Sequence, residues 1–140
     1  MEIKKVVVIG SGTMGSGIAA HLCNANIPVT LLDLKTEISE QARDKIHKSR
    51  PPLLLDKSKI NNIKVGNIVD NFDEVKEADW VVEAVVERID IKHDIYKKIF
   101  KERKKCAIVS SNTSSIPIKV LSEKLTADEK KDFCITHFFN

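Results

Sequence analysis

The sequence predicts an α/β protein built on a doubly wound, mainly parallel sheet with helices on both faces. Three observations carry that prediction. Short apolar runs alternate with longer segments of helical periodicity along the whole chain. The first apolar run opens directly into a glycine-rich turn, Gly10-Ser11-Gly12-Thr13-Met14-Gly15-Ser16-Gly17, and a helical pattern follows at once. The second run ends in an acidic residue, Asp33, roughly 20 residues beyond those glycines.

Each element can be justified in turn. Val6-Val7-Val8-Ile9 is β-branched throughout and apolar on both faces, the pattern of a buried parallel strand. Met14 to Asn24 carries the apolar spacing of a helix, and Val29 to Leu32 forms the second strand. Thr36 to Lys48 reads as an amphipathic helix stopped by Pro51-Pro52. Between Leu53 and Asn71 the pattern weakens to a short strand candidate at Ile63-Lys64-Val65 and a turn at Gly66-Asn67. Trp80 to Val85 is a fourth strand, followed by a helix from Ile89 to Lys104 with Ile91, Ile95 and Ile99 on one face. Cys106 to Val109 gives a fifth strand, Ile118 to Leu125 a short helix, and Phe133 to Thr136 a sixth strand. No internal repeat, low-complexity segment or linker interrupts this order, so residues 1–140 are read as a single domain.

The glycine turn sits where a dinucleotide motif needs to sit, between a strand and a helix. Gly10 permits the tight turn, Gly12 lets backbone approach a pyrophosphate, and Gly15 lets the helix lie close to the strand. The helix N-terminus offers free N–H groups and partial positive charge to the phosphates. Asp33 then accepts hydrogen bonds from a ribose 2′-hydroxyl and repels a 2′-phosphate, which favours NAD over NADP; Lys35 weakens that preference without reversing it. The expected architecture is therefore of Rossmann type.

Composition narrows the function further. With 42% hydrophobic and 31% charged residues, the chain of 140 residues is neither disordered nor fibrous. A formal net charge of +3 gives no reason to expect a nucleic-acid partner. The basic run Lys101 to Lys105 is read as a solvated helix end, where cations complement the dipole. No apolar run reaches the length of a membrane span, so no membrane partner is expected. The N-terminal Met1-Glu2-Ile3-Lys4-Lys5 runs straight into a strand without a signal-peptide pattern, which predicts a cytoplasmic protein. Cys23, Cys106 and Cys134 lack metal-binding spacing and read as reduced thiols, two of them packed at strand starts, so no metal site is expected.

In a doubly wound sheet the ligand lies across the carboxyl ends of the strands. Three features place polar groups there. Glu87 follows strand four, with Lys92 in the next helix; Ser110-Ser111-Asn112-Thr113-Ser114-Ser115 follows strand five; His137 ends strand six. Each alone has an ordinary structural reading, as a capping loop or a core histidine. Their convergence on one crevice points to function.

Four segments in order, Gly-Ser-Gly-Thr-Met-Gly-Ser-Gly at 10–17, Val-Val-Glu-Ala-Val-Val-Glu at 81–87, Ser-Asn-Thr-Ser-Ser at 111–115 and His-Phe-Phe-Asn at 137–140, resemble the NAD-binding domain of L-3-hydroxyacyl-CoA dehydrogenases. Arg50-Pro51-Pro52-Leu53 and Ile-Thr-His-Phe-Phe-Asn look closest to bacterial members of the β-oxidation branch. The resemblance implies NAD as cofactor and an acyl-CoA as substrate, oxidised from 3-hydroxyacyl-CoA to 3-ketoacyl-CoA. It implies that Gly10, Ser11, Gly12, Thr13, Met14 and Gly15 hold the pyrophosphate, Asp33 the adenosine ribose, and Glu87 and Lys92 the nicotinamide half. Ser114 matches a serine that contacts both cofactor and substrate oxygen, and His137 matches the catalytic base; Ser49 matches a CoA-contacting position, and Asn140 is a further substrate-binding candidate. An imidazole suits proton exchange near neutral pH.

Family members also carry a glutamate downstream that orients the histidine, and a helical domain that closes the acyl-CoA site and forms the dimer. The chain is read as lacking these, which predicts an incomplete catalytic site and an open sheet edge beside strand six suited to pairing with another chain or to homodimer formation. Two functions of different class follow: a dehydrogenase cofactor domain completed by its partner region, or a non-catalytic module that holds NAD. A third, a Rossmann dehydrogenase of the 6-phosphogluconate or glycerol-phosphate type, accounts for the glycine turn but not for Ser114 and His137 together.

Overall fold

A computed structural model describes residues 1–140. Six strands, β1 (Val6–Ile9), β2 (Val29–Asp33), β3 (Ile63–Asn67), β4 (Trp80–Glu83), β5 (Ile108–Ser111) and β6 (Phe133–Ile135), form one sheet in the order β3-β2-β1-β4-β5-β6. Every pairing is parallel. The helices are α1 (Thr13–Asn24), α2 (Thr36–Lys48), α3 (Ile89–Glu102), α4 (Ile118–Leu121) and α5 (Ala127–Lys131), with single 3₁₀ segments at Lys57–Asn62 and Phe72–Glu77.

The central strand shows why this sequence folds in two layers of helices. Val6 and Val8 pack with Ile18, Leu22, Leu31, Ala42 and Ile46 on the face covered by α1 and α2. Val7 and Ile9 face the other way and join Val81, Ile95, Tyr96, Ile99 and Val109 under α3. Alternate side chains of a strand point to opposite faces, so a continuous run of four apolar residues is stable only when both faces are covered. Each such side chain contributes roughly 1.5–3 kcal/mol through burial. The two layers also fix the ligand crevice: β1 pairs with β2 on one side and β4 on the other, so the strand order reverses at the carboxyl ends of β1 and β4.

Several boundaries differ from the sequence reading. Strand β4 ends at Glu83 rather than Val85, because the Ala84 N–H donates to the Ile9 carbonyl and the Val85 N–H to the Glu83 side chain, which turns the chain over the glycine loop. Helix α3 ends at Glu102, and Arg103 donates to Ala107 O at 2.8 Å and Asp132 Oδ2 at 2.7 Å, tying down the next turn. Cys106 lies in that turn at φ 68°, exposed rather than packed, and β5 begins at Ile108. Gly66-Asn67 belongs to β3; the turn comes just after it, where Asn67 Oδ1 accepts from the Val69 and Asp70 N–H groups. Helix α4 is shorter than Ile118–Leu125, and α5 follows it on a capping box in which Thr126 and Glu129 satisfy each other's backbone.

Candidate functional site

The glycine turn divides its labour by residue. Gly10 sits at φ 103°, and a β-carbon there would lie 2.3 Å from the Ala84 carbonyl oxygen. At Gly15 an added β-carbon would meet the Gly10 carbonyl oxygen at 1.8 Å, so the start of α1 presses directly on the turn. Gly12 is different: nothing lies within 4 Å of its missing β-carbon, and it borders a groove of about 750 Å³. It is also the N-cap of α1, without a side-chain cap and without an acidic residue in the first turn. The N–H groups of Gly12, Thr13 and Met14 make no hydrogen bond within the chain. A bare backbone cradle with free donors at the positive end of a helix fits a pyrophosphate.

Asp33, at the end of β2, lines the same groove. Its Oδ2 accepts from the Ser11 N–H at 2.7 Å and from the Ser11 hydroxyl at 2.5 Å, and its Oδ1 accepts from the Leu34 N–H at 2.7 Å. The groove continues past Ile38, Lys45, Ser49 and Leu53 along α2. Ser49 lies in it, with its hydroxyl donating to Ile46 O at 3.0 Å and accepting from the Leu53 N–H at 2.9 Å. Those two bonds close the end of α2.

On the other side of Ala84 and Val85 lies a second cavity of about 350 Å³, lined by Met14, Glu87, Lys92, Ser114, His137 and Asn140 among others. Ala84 and Val85 line both cavities, so together the two form one path across the strand ends. Every residue assigned a ligand role from sequence therefore borders this path except Gly15, which packs beneath it. Ser114 and His137 are exposed, and neither makes a side-chain hydrogen bond within the chain; the His137 ring lies 4.7 Å from that of Phe139.

Behind the second cavity is a buried ionic network that the sequence reading missed. Glu83 Oε2 accepts from Lys92 Nζ at 2.6 Å and from the Val85 N–H at 3.0 Å. Its Oε1 accepts from the Tyr96 hydroxyl at 2.5 Å and from the Ser111 hydroxyl at 2.7 Å. Glu83, Lys92, Tyr96 and Ser111 are all fully buried. Burial, followed by the Glu83 charge, pushes the Tyr96 hydroxyl far above the usual phenol range, so it stays protonated and donates to Glu83. Lys92 Nζ also lies 2.9 Å from Glu87 Oε1, while Glu87 Oε2 accepts from Thr113 Oγ1 at 2.7 Å and Ser115 Oγ at 3.0 Å. Partial burial pushes the Glu87 carboxyl up, but Lys92 and the two hydroxyls outweigh it and hold the group below the usual carboxylate range. One signal for Glu83 was present in the sequence: a carboxylate inside an apolar parallel strand needs a partner, and Lys92 supplies it from the adjoining helix.

Asn112 connects the serine-rich loop to the histidine segment. Its Oδ1 accepts from the Phe138 N–H at 2.8 Å, and on the other side of His137 the Thr136 N–H donates to Ser111 O at 3.0 Å. His137 is thus held by its two neighbours rather than through its own ring.

Comparison with known proteins agrees with this arrangement. Residues 5–140 match the family model described as the 3-hydroxyacyl-CoA dehydrogenase NAD binding domain. A Deinococcus radiodurans protein named "Probable 3-hydroxyacyl-CoA dehydrogenase" is 42% identical over 147 residues, covering 100% of this chain and 42% of its own length. A peroxisomal fatty acid beta-oxidation multifunctional protein of Arabidopsis thaliana is 34% identical over 144 residues, covering 99% of this chain and 20% of that protein. The crystal structure of 3-hydroxybutyryl-CoA dehydrogenase from Escherichia coli aligns with a TM-score of 0.86 at 27% identity, over 100% of this chain and 30% of that one. The chain thus spans between a fifth and about two fifths of the length of these relatives. From the glycine cradle to the His137 segment, the chain belongs to the family of NAD-binding domains of 3-hydroxyacyl-CoA dehydrogenases.

Proposed function

We propose that residues 1–140 form the NAD-binding domain of an enzyme that oxidises 3-hydroxyacyl-CoA to 3-ketoacyl-CoA in fatty-acid β-oxidation, working with the acyl-CoA-binding region that such enzymes carry. The observation that carries this reading is the position of Ser114 and His137: they share one cavity with Glu87 and Lys92, directly across Ala84 and Val85 from the Gly12 cradle and Asp33. A cofactor cradle alone would support any Rossmann dehydrogenase. An unbonded imidazole and an unbonded hydroxyl at its far end support alcohol oxidation.

Bound NAD supplies the hydride acceptor. The chain's own groups do the rest. The free N–H groups of Gly12, Thr13 and Met14 receive the pyrophosphate, while those of Gly10 and Ser11 are spent on Leu32 O and Asp33, and Asp33 accepts a ribose hydroxyl. Lys92, clamped between Glu83 and Glu87, fixes the wall of the second cavity, which would hold the nicotinamide half. The Ser114 hydroxyl hydrogen-bonds the substrate oxygen, and a His137 ring nitrogen takes the proton of the 3-hydroxyl. Asn140, which lines the second cavity, and Ser49, which lines the groove, are assigned to the substrate. The three cysteines are free, which supports a reducing compartment such as the cytoplasm.

The test has two parts. Calorimetric titration of the chain should show NADH binding tighter than NADPH and weakened by Asp33→Ala. With the acyl-CoA-binding region present, NADH oxidation by a short 3-ketoacyl-CoA should appear and be lost in His137→Ala and sharply reduced in Ser114→Ala. Cofactor binding without turnover, with both variants behaving as the parent, would instead identify a module that holds NAD and catalyses nothing.

A further inference from the structure

Ser11 lies between the first two glycines of the cradle, and its polar atoms turn back onto the protein. It is 7% exposed, and both its N–H and its hydroxyl donate to the same oxygen of Asp33, Oδ2, at 2.7 and 2.5 Å. Its carbonyl accepts from the Ser16 hydroxyl at 2.9 Å, which ties the residue to the first turn of α1. Asp33 Oδ1 receives a third bond, from the Leu34 N–H at 2.7 Å.

A carboxylate has about four acceptor positions. Three are filled by the chain, so one remains, on Oδ1. Two donors on the opposite oxygen hold the plane of the carboxylate, and the remaining acceptor position therefore points in one direction.

We propose that Ser11 is a positioning residue for nucleotide selectivity: its hydroxyl locks the Asp33 carboxylate so that a single fixed acceptor meets the ribose. This rests on the reading that the groove takes a nicotinamide dinucleotide. A ribose hydroxyl can donate to the free position without reorganising the site. A 2′-phosphate brings about −1.5 to −2 charges against a carboxylate that cannot rotate away. Without the Ser11 hydroxyl, Asp33 keeps one backbone donor on each oxygen and gains an open acceptor position on Oδ2, so the carboxylate is held less tightly, which weakens its bond to the ribose and eases its repulsion of the phosphate. Selectivity then falls from both directions.

The experiment is a double-mutant cycle read by titration with NADH and NADPH, using the parent chain, Ser11→Ala, Asp33→Ala and the double variant. Ser11→Ala is expected to weaken NADH by about tenfold, the worth of one hydrogen bond to a charged group, while NADPH affinity holds or rises. In the Asp33→Ala background the same substitution should change NADH affinity less than about twofold, because the group it acts through is gone. Ser11→Thr, which keeps the hydroxyl, should retain the parent selectivity. Equal losses of NADH binding in both backgrounds would show that Ser11 touches the ligand directly and would overturn the inference. So would a Ser11→Ala variant with an unchanged NADH-to-NADPH ratio or with tighter NADH binding. Failure of the parent chain to bind NADH at all would overturn the reading of the groove and this inference with it, an outcome distinct from NADH binding that ignores Ser11.

Discussion

Glu83 Oε2 and Lys92 Nζ lie 2.6 Å apart, and neither side chain reaches solvent. The pair joins the end of β4 to the first turns of α3, and every acceptor position of the carboxylate is used, by Lys92, Val85, Tyr96 and Ser111. It forms the floor beneath the cavity that holds Ser114 and His137. Removing Glu83 orphans the Tyr96, Ser111 and Val85 donors at once and leaves the buried Lys92 only its ion pair to the partly exposed Glu87. Glu83→Ala is therefore expected to lower unfolding stability by about 3–5 kcal/mol in urea denaturation. A loss below 1 kcal/mol would mean that water enters the network and screens the pair.

The three glycines of the turn should separate cleanly on substitution. Gly10→Ala places a β-carbon against the Ala84 backbone at a φ that alanine avoids, and Gly15→Ala drives one into the Gly10 carbonyl. Both should unfold readily, visible as a fall in thermal midpoint. Gly12→Ala has open space around it and should fold with near-parental stability while losing NADH affinity by at least ~10-fold, since the methyl occupies the ground of the pyrophosphate. A stable Gly12→Ala variant that binds NADH normally would rule out the proposed phosphate position.

Acid sensitivity should centre on Glu74, away from the site. Burial pushes this carboxyl up, but Lys5 and Lys64 outweigh it and hold the group down at about 2 against an ordinary value of 4.5. Because the folded value lies below the unfolded one, the contribution is fully present above about pH 5 and is lost as the pH falls from there towards 2. The full effect is no more than about 3 kcal/mol. Stability measured against pH should therefore decline over that window, and Glu74→Gln should flatten the decline while lowering stability at neutral pH. A parallel pH profile in the variant would assign the acid sensitivity elsewhere.

Asn112 is expected to hold the histidine segment in place. Asn112→Ala removes the acceptor for the Phe138 N–H and should cost about 0.5–1.5 kcal/mol locally. The measurement is amide hydrogen exchange: Phe138 should exchange roughly tenfold faster while core amides such as that of Val8 keep their protection. If Phe138 exchange is unchanged, the Thr136 contacts alone secure His137.

Local chemistry explains why so much was legible in the sequence. A strand buried on both faces must be continuously apolar, so Val6–Ile9 and the shortened β4 stood out. A backbone cradle for phosphate needs glycine where a β-carbon would intrude, so Gly10, Gly12 and Gly15 did too. The five-residue helix α5 was missed although its capping box is written at Thr126 and Glu129, because a segment that buries no residue leaves no hydrophobic period to detect.

The sequence by itself determined the α/β order, the cofactor cradle and the set of polar residues at the strand ends, because each depends on the pattern of a few neighbouring residues. Tertiary structure alone decided how those residues serve one another. Ser11 and Asp33 are 22 positions apart, Glu83 and Ser111 28, and Asn112 and Phe138 26, and each pair meets only because parallel strands bring their carboxyl ends side by side. Hydrogen bonds of that separation have no period and no local signature. Their cause is the register of the sheet, which exists only once the two layers of helices have closed over it.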